Sequence, residues 1–232
     1  MKSFILLLLC VCSSVVVWGQ DDTVYYAKIT NTRTYMNIDR VTVTEYWFSK
    51  NKICTLSNPV KRIIRWDLGL IYSINLASGT IKTDSIKKAM PVIEKTLDFK
   101  HLGQDYTPVF EWNKPVRLDR DTVGNKLCDH YICDGDADFD QISLEYFVTK
   151  TDDAYMAGLL NKNIFYLEDN NRKEPLSKMV KGKKNIVPLR MIETVENAIA
   201  PVIKTVINVD KLEKVKNSAG LFDIPENLKK IK

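Results

Sequence analysis

The sequence predicts a mainly β (α+β) fold: a curled antiparallel sheet forming an unclosed half-barrel, with two or three short helices on its concave side. Three observations lead there. About nine segments are rich in Val, Ile, Thr and Tyr, and several alternate apolar with polar residues, the period of a strand with one buried and one wet face. Short joints bearing Asn, Gly or Pro link them, which favours antiparallel neighbours. Only two segments in the middle carry a helical stripe. That is too few to cover a flat sheet as crossover helices would, so the sheet must curl to bury a face.

The chain opens with a signal peptide, residues 1–19. Lys2 is a minimal positive start, Phe4 to Val17 is apolar apart from small residues, and Val17 and Gly19 suit the −3 and −1 positions of a cleavage site. The run is too short for a membrane span. Residues 20–232 then read as a single exported domain. Removing residues 1–19 takes away one Lys and no acid, so the charge falls from +5 to +4.

The strands follow in order. TVYYAKITNTR (23–33) and DRVTVTEYWFSK (39–50) come first. KRIIRWDLG (61–69) places Ile64, Trp66 and Leu68 on one side, and LIYSINL (70–76) does the same with Leu70, Tyr72, Ile74 and Leu76. Ile86, Met90, Ile93 and Leu97 form a helical stripe, and Pro91 inside it points to a short helix starting near Met90. Strands resume at 109–118, 126–133 and 142–150. Thr151-Asp152-Asp153 caps a second helix that carries Tyr155, Met156, Leu159 and Leu160 on one face. Residues 169–184 read as a polar loop or frayed helix. Strands 185–197 and 198–216 and the closing GLFDIP (220–225) complete the chain.

The order of YWFSK, KRIIRWDLGLIYSINLASGTI, a G-x-x-x-C-x-x-Y segment at Gly124, Cys128 and Tyr131, and LFDIP at 221–225 resembles exported bacterial proteins of the lipoprotein-carrier (LolA/LolB-like) superfamily. The resemblance covers most of residues 22–225 and lies in spacing rather than in one diagnostic motif. It implies an unclosed antiparallel barrel with helices in its mouth and acyl chains in its hollow. It brings no catalytic signature to place on particular residues.

Composition narrows the function. The Lys residues are scattered among acids, and the one dense basic run, KMVKGKK at 178–184, reads as a solvated loop. There is no zinc finger, aromatic–basic platform or strongly basic helix, so no nucleic-acid partner is expected. Cys54, Cys128 and Cys133 remain after processing, an odd number and no disulfide framework. On an extended segment Cys128 and Cys133 lie about 16 Å apart, beyond the reach of a disulfide, though either is free to meet Cys54. His101 and His130 are the two histidines, and neither G-x-S-x-G nor H-E-x-x-H occurs, so no enzyme is expected.

One stretch points elsewhere. Asp134, Asp136, Asp138, Asp140 and Glu145 stand at offsets 1, 3, 5, 7 and 12 of a calcium-binding loop. Offset 6, which needs Gly for a sharp bend, is Phe139, and both flanks read as strands rather than helices. An acidic hairpin fits these residues better, with calcium as the alternative cofactor. The leading expectation is a non-enzymatic binding protein or carrier for a hydrophobic small molecule or lipid, such as a lipoprotein acyl chain. Its ligand would be lined by Trp47, Trp66, Tyr72, Trp112 and Leu159, and the protein would touch the cell envelope peripherally. The alternatives are a structural or interaction module with a filled core, and a calcium-dependent binding module using 134–145.

Overall fold

The computed structural model describes residues 23–86, 111–137, 140–163 and 185–231. The expected signal peptide, nearly all of the 86–97 stripe, the basic run at 178–184, Asp138 and Phe139 lie outside them.

Two meanders build one sheet. The first comprises β1 (Thr23–Tyr35), β2 (Ile38–Ser49), β3 (Lys52–Ser57), β4 (Val60–Arg65), β5 (Leu70–Asn75) and β6 (Thr80–Ser85). The second comprises β10 (Lys126–Ala137), β11 (Asp140–Lys150), β12 (Ile186–Asn197) and β13 (Ala200–Lys216). They are joined where β1 meets β13, antiparallel from Thr23↔Lys216 to Tyr35↔Ile203. Three short strands, β7 (Glu111–Trp112), β8 (Val116–Arg117) and β9 (Asp121–Val123), cover the outer side of β10. At the far end β14 (Lys229–Lys230) pairs in parallel with β6. The 14-stranded sheet runs β14-β6-β5-β4-β3-β2-β1-β13-β12-β11-β10-β7 and its ends do not meet. It is an open sheet, in keeping with the expected half-barrel.

Several strand readings are corrected. The expected strand 61–69 ends at Arg65, because residues 66–69 form the turn into β5. Trp66 and Leu68 therefore leave the alternation and are exposed, at 45% and 53%, while Ile63 is buried completely. Strands β3 and β6 were not among the expected segments. The segment 109–118 breaks into two two-residue strands around Pro115. The simple meander also fails at β1, which sits mid-sheet between β2 and β13.

Both faces of the first meander carry buried side chains. Successive strand residues point to opposite faces. Ile53 and Cys54 are neighbours on β3 and both buried, yet in different clusters. Ile53 joins Phe48, Ala27 and Ile29 in the main core with β10–β12. Cys54 joins Val24, Ile63, Ile74 and Ile81 on the other face, closed by Phe222 from the segment after β13.

The one helix among the described residues is α1 (Ala154–Asn163). Asp153 is its N-cap: its Oδ1 accepts from Met156 N at 2.9 Å and its carbonyl from Ala157 N at 3.1 Å. Ala157 and Leu160 are buried in the main core, with Met156 and Leu159 packed at its margin. Tyr155, expected on the same stripe, is half exposed and tilts against Tyr25 at 5.7 Å between centroids. The expected second helix is thus present, while nearly all of the 86–97 stripe and the frayed segment 169–184 fall outside the described residues.

Candidate ligand-binding surface

The side of the sheet that carries α1 bears a continuous apolar row. Strand register aligns Ile38 (β2), Tyr35 (β1), Ile203 (β13), Val195 (β12), Ile142 (β11), Gly135 (β10) and Trp112 (β7) side by side. Burial falls along it. Ile142 is 7% exposed, Tyr35 43% and Ile38 64%. At the buried end Trp112 lies flat on Gly135, where an added Cβ would come within 2.7 Å of its ring. A glycine is needed here for close approach rather than for an unusual φ.

At the exposed end two hairpin tips stand together. The β1–β2 turn is Met36-Asn37, with φ of 51° and 61°, so both central residues are left-handed as a tight two-residue hairpin requires. Met36 is 58% exposed. The β12–β13 tip carries Ile199, 94% exposed, with its amide held by Asn197 Oδ1 at 2.9 Å.

One step along the same face runs a mixed row: Arg40, Arg33, Thr205, Glu193, Leu144 and Cys133. Glu193 is the buried charged side chain among the described residues, 8% exposed between Met191 and Val195 on β12. The sequence reading did not single it out. Its place in the strictly alternating Met191, Glu193, Val195 series was the available signal.

Asp153 anchors the helix to the sheet. Its Oδ2 accepts from Tyr25 OH and from Lys214 Nζ, each at 2.8 Å. Those bonds, led by Lys214 and the Met156 amide, hold its carboxyl at about 2. Lys214 also lies over the Tyr25 ring at 5.3 Å. Tyr26, on the opposite face, donates to Glu45 at 2.8 Å, and burial together with that bond pushes its phenol up to about 12.

The five sequence-derived lining residues do not gather at one place. Trp112 and Leu159 pack against the main core on the helix-bearing side. Trp47 and Tyr72 lie on the opposite face, in the row Trp47, Cys54, Ile63, Tyr72. Trp66 stands in the β4–β5 turn, its amide on Asn51 O at 3.0 Å. The split follows from strand parity and from the early end of β4.

The described part of the acidic run lies on two paired strands, β10 and β11. Asp134 and Asp136 are on β10, opposite Ser143 and Gln141, while Asp140 and Glu145 are on β11, opposite Ala137 and Ile132. Asp140 Oδ1 accepts from Asn197 Nδ2 on β12. Glu145 pairs with His130 at 2.9 Å, and the imidazole stacks on Phe147 at 4.1 Å. Among the described residues no three His, Cys, Asp or Glu side chains converge as a metal-holding group. Among the described residues Cys54, Cys128 and Cys133 form no disulfide. Cys54 and the pair Cys128 and Cys133 belong to different clusters.

Two depressions flank β10. One of about 580 Å³ is lined by Arg117, Leu118, Asp119 and Arg120, and one of about 260 Å³ by Arg120, Leu127, Asp129, Val148, Thr149, Lys150 and Ile186. Asp129 bridges Arg117 and Arg120 at 2.7 and 3.0 Å. Among the described residues no helix is long and apolar enough to cross a membrane.

No family model matches the chain, and no curated protein matches it in sequence. The likenesses to solved structures are low in both identity and TM-score. PNGF-II is 9% identical over 90% of this chain with a TM-score of 0.36, and this chain spans 31% of that one. A candidate outer membrane lipoprotein-sorting protein domain from Vibrio parahaemolyticus is 9% identical, with 86% of this chain and 89% of that one covered and a TM-score of 0.34. The same values hold for a DUF1329 family protein from Desulfovibrio piger.

Proposed function

We propose that the protein is an exported, non-catalytic binding protein for a hydrophobic molecule, a lipid or the acyl chain of a lipoprotein, held on the helix-bearing side of the sheet. The observation that carries this reading is the apolar row that passes from the buried Ile142 out to Tyr35 and Ile38 at the exposed hairpin. An acyl chain laid along it removes its own methylenes and the exposed row from water together. Burial stabilises such a chain by about 0.8 kcal/mol per CH₂, so several methylenes give useful affinity without a specific polar contact. The exposed Ile199 and Met36 suit brief contact with the cell envelope, where a ligand would be collected or released.

Organic extraction of protein purified from its host, followed by mass spectrometry, tests the reading. A lipid present near one per protein, and reduced in a Val195→Asp variant that stays folded, supports it. Repeated preparations without lipid, together with no saturable uptake of added acyl chains, reject it in favour of a filled-core module.

A further inference from the structure

We propose that the face opposite α1 holds a second site, a trough for a single-chain anionic amphiphile, which the chain's own segment 217–231 occupies in this structure. The site stands whether or not the helix-bearing side takes a ligand.

The floor of the trough is apolar and built from five adjacent strands. Trp47, Cys54, Ile63 and Tyr72 form one cross-strand row, and Ile74 and Ile81 extend the next. Cations flank it. Lys52 and Arg65 are paired on β3 and β4 at one side, and Lys61 stands opposite Ile74 at the other. Arg65 is salt-bridged to Asp67 at 2.6 Å. Arg65 and Lys52 therefore act on Asp67, and Asp223 of the covering segment acts on Arg65.

The covering segment has the chemistry of the ligand it stands in for. Leu221 and Phe222 enter the apolar cluster, Phe222 only 5% exposed, and the Asp223 carboxylate follows directly. Lys52 Nζ lies 5.9 Å from the centre of the Phe222 ring. Two apolar groups in the trough and an anion at its cationic margin is the arrangement a fatty acid would adopt there.

The cover is also built to leave. Its links to the sheet backbone are the short pairing of β14 with β6 and, at its ends, Lys229 N to Gly79 O and Ile231 N to Ile81 O, both 2.9 Å. Its other backbone bonds, Leu221 N to Ser218 O and Asp223 N to Gly220 O, are internal to the segment. A strand pairing of only two residues and one deeply buried side chain mark a region that opens without unfolding the sheet.

Palmitate binding, measured by calorimetry below its micelle concentration, tests the site. The intact chain should bind one palmitate, and saturation should speed cleavage after Glu226 by a glutamate-specific protease at least about fivefold, because the segment is displaced. A competing plug lowers apparent affinity by the fraction of time it is closed, so Phe222→Ser should bind palmitate about tenfold more tightly. Lys52→Gln should bind several-fold more weakly, and hexadecyltrimethylammonium at least about tenfold more weakly than palmitate, because the cations repel it. If Phe222→Ser fails to fold, Asp223→Asn must give the same direction of change. Unaltered affinity in these variants, or equal binding of the cationic amphiphile, overturns the proposal. Loss of palmitate binding in Tyr35→Ser with no effect of Phe222→Ser also overturns it and assigns the ligand to the helix-bearing side.

Discussion

Replacing Gly135 with Ala tests the closest packing on the sheet. The new Cβ would stand 2.7 Å from Trp112 Cε3, 3.0 Å from Cζ3 and 3.1 Å from Cδ2. Carbon atoms in favourable contact lie about 3.5–4.0 Å apart, so the ring must retreat by roughly 1 Å. Trp112 belongs to the two-residue strand β7, and its retreat strains the pairing of Gly135 and Asp136 with Trp112 and Glu111. Overpacking of this kind costs about 1–3 kcal/mol, while Ala over Gly in a strand returns about 0.5–1 kcal/mol. A net loss of about 1–2 kcal/mol follows, a fall in Tm of roughly 2–8 °C for a chain of this size. Thermal and urea unfolding of Gly135→Ala, Trp112→Ala and the double variant supplies the cycle. In the Trp112→Ala background, Gly135→Ala should be neutral or mildly stabilising. Equal destabilisation in both backgrounds, or none in the intact chain, would refute the account of how Trp112 closes the apolar row.

The remaining predictions concern the helix anchor, the hairpin tip and the acidic loop. Asp153→Ala removes a helix cap and the partner of Tyr25 and Lys214, and should cost about 1–2 kcal/mol in urea unfolding. Because the Asp153 carboxyl is depressed to about 2, its contribution is complete above about pH 4 and is lost as pH falls through 2. Solvent screening at this shallow site limits that contribution to about 1 kcal/mol, so the gap between the native chain and Asp153→Asn should close by more than half of that amount between pH 6 and pH 2.5. Met36→Asn relieves a bulky residue at φ 51° and should stabilise the chain by about 0.5–1 kcal/mol, while a fall in stability would show that Met36 is packed rather than exposed. Millimolar calcium should leave Tm unmoved, since Asp140 and Glu145 are engaged by Asn197 and His130; a rise reversed by chelator would revive the calcium-dependent module.

Local pattern carried much of the fold. The β-rich runs at 23–33, 39–50, 126–133, 142–150 and 198–216 all lie within observed strands or overlap them closely, because alternation and β-branched side chains act over a few residues. Asp153 was legible as a cap for the same reason. What alternation does not reveal is whether the second face is wet. Cys54, Ile63 and Ile74 are buried because residues about 150 positions later, around Phe222, fold over them, and nothing in β3–β5 announces that. Trp66 leaves the strand alternation at the opposite scale: Gly69, at φ 66°, allows the turn that ends β4 before the apolar pattern ends. The candidate site was legible in kind, as aromatics and aliphatics on strands, but its rows depend on β1–β13 pairing between distant parts of the chain. The β1–β13 register, set by contacts across the whole chain, places Tyr35 beside Ile203.

Photocrosslinking tests the central claim most directly. A palmitoyl chain bearing a diazirine near its methyl end, activated on the folded protein and mapped by peptide mass spectrometry, should label Tyr35, Val195 or Ile203, and excess unlabelled chain should compete it away. Saturable labelling that avoids this row, or labelling that excess chain does not suppress, would contradict a ligand track on the helix-bearing side.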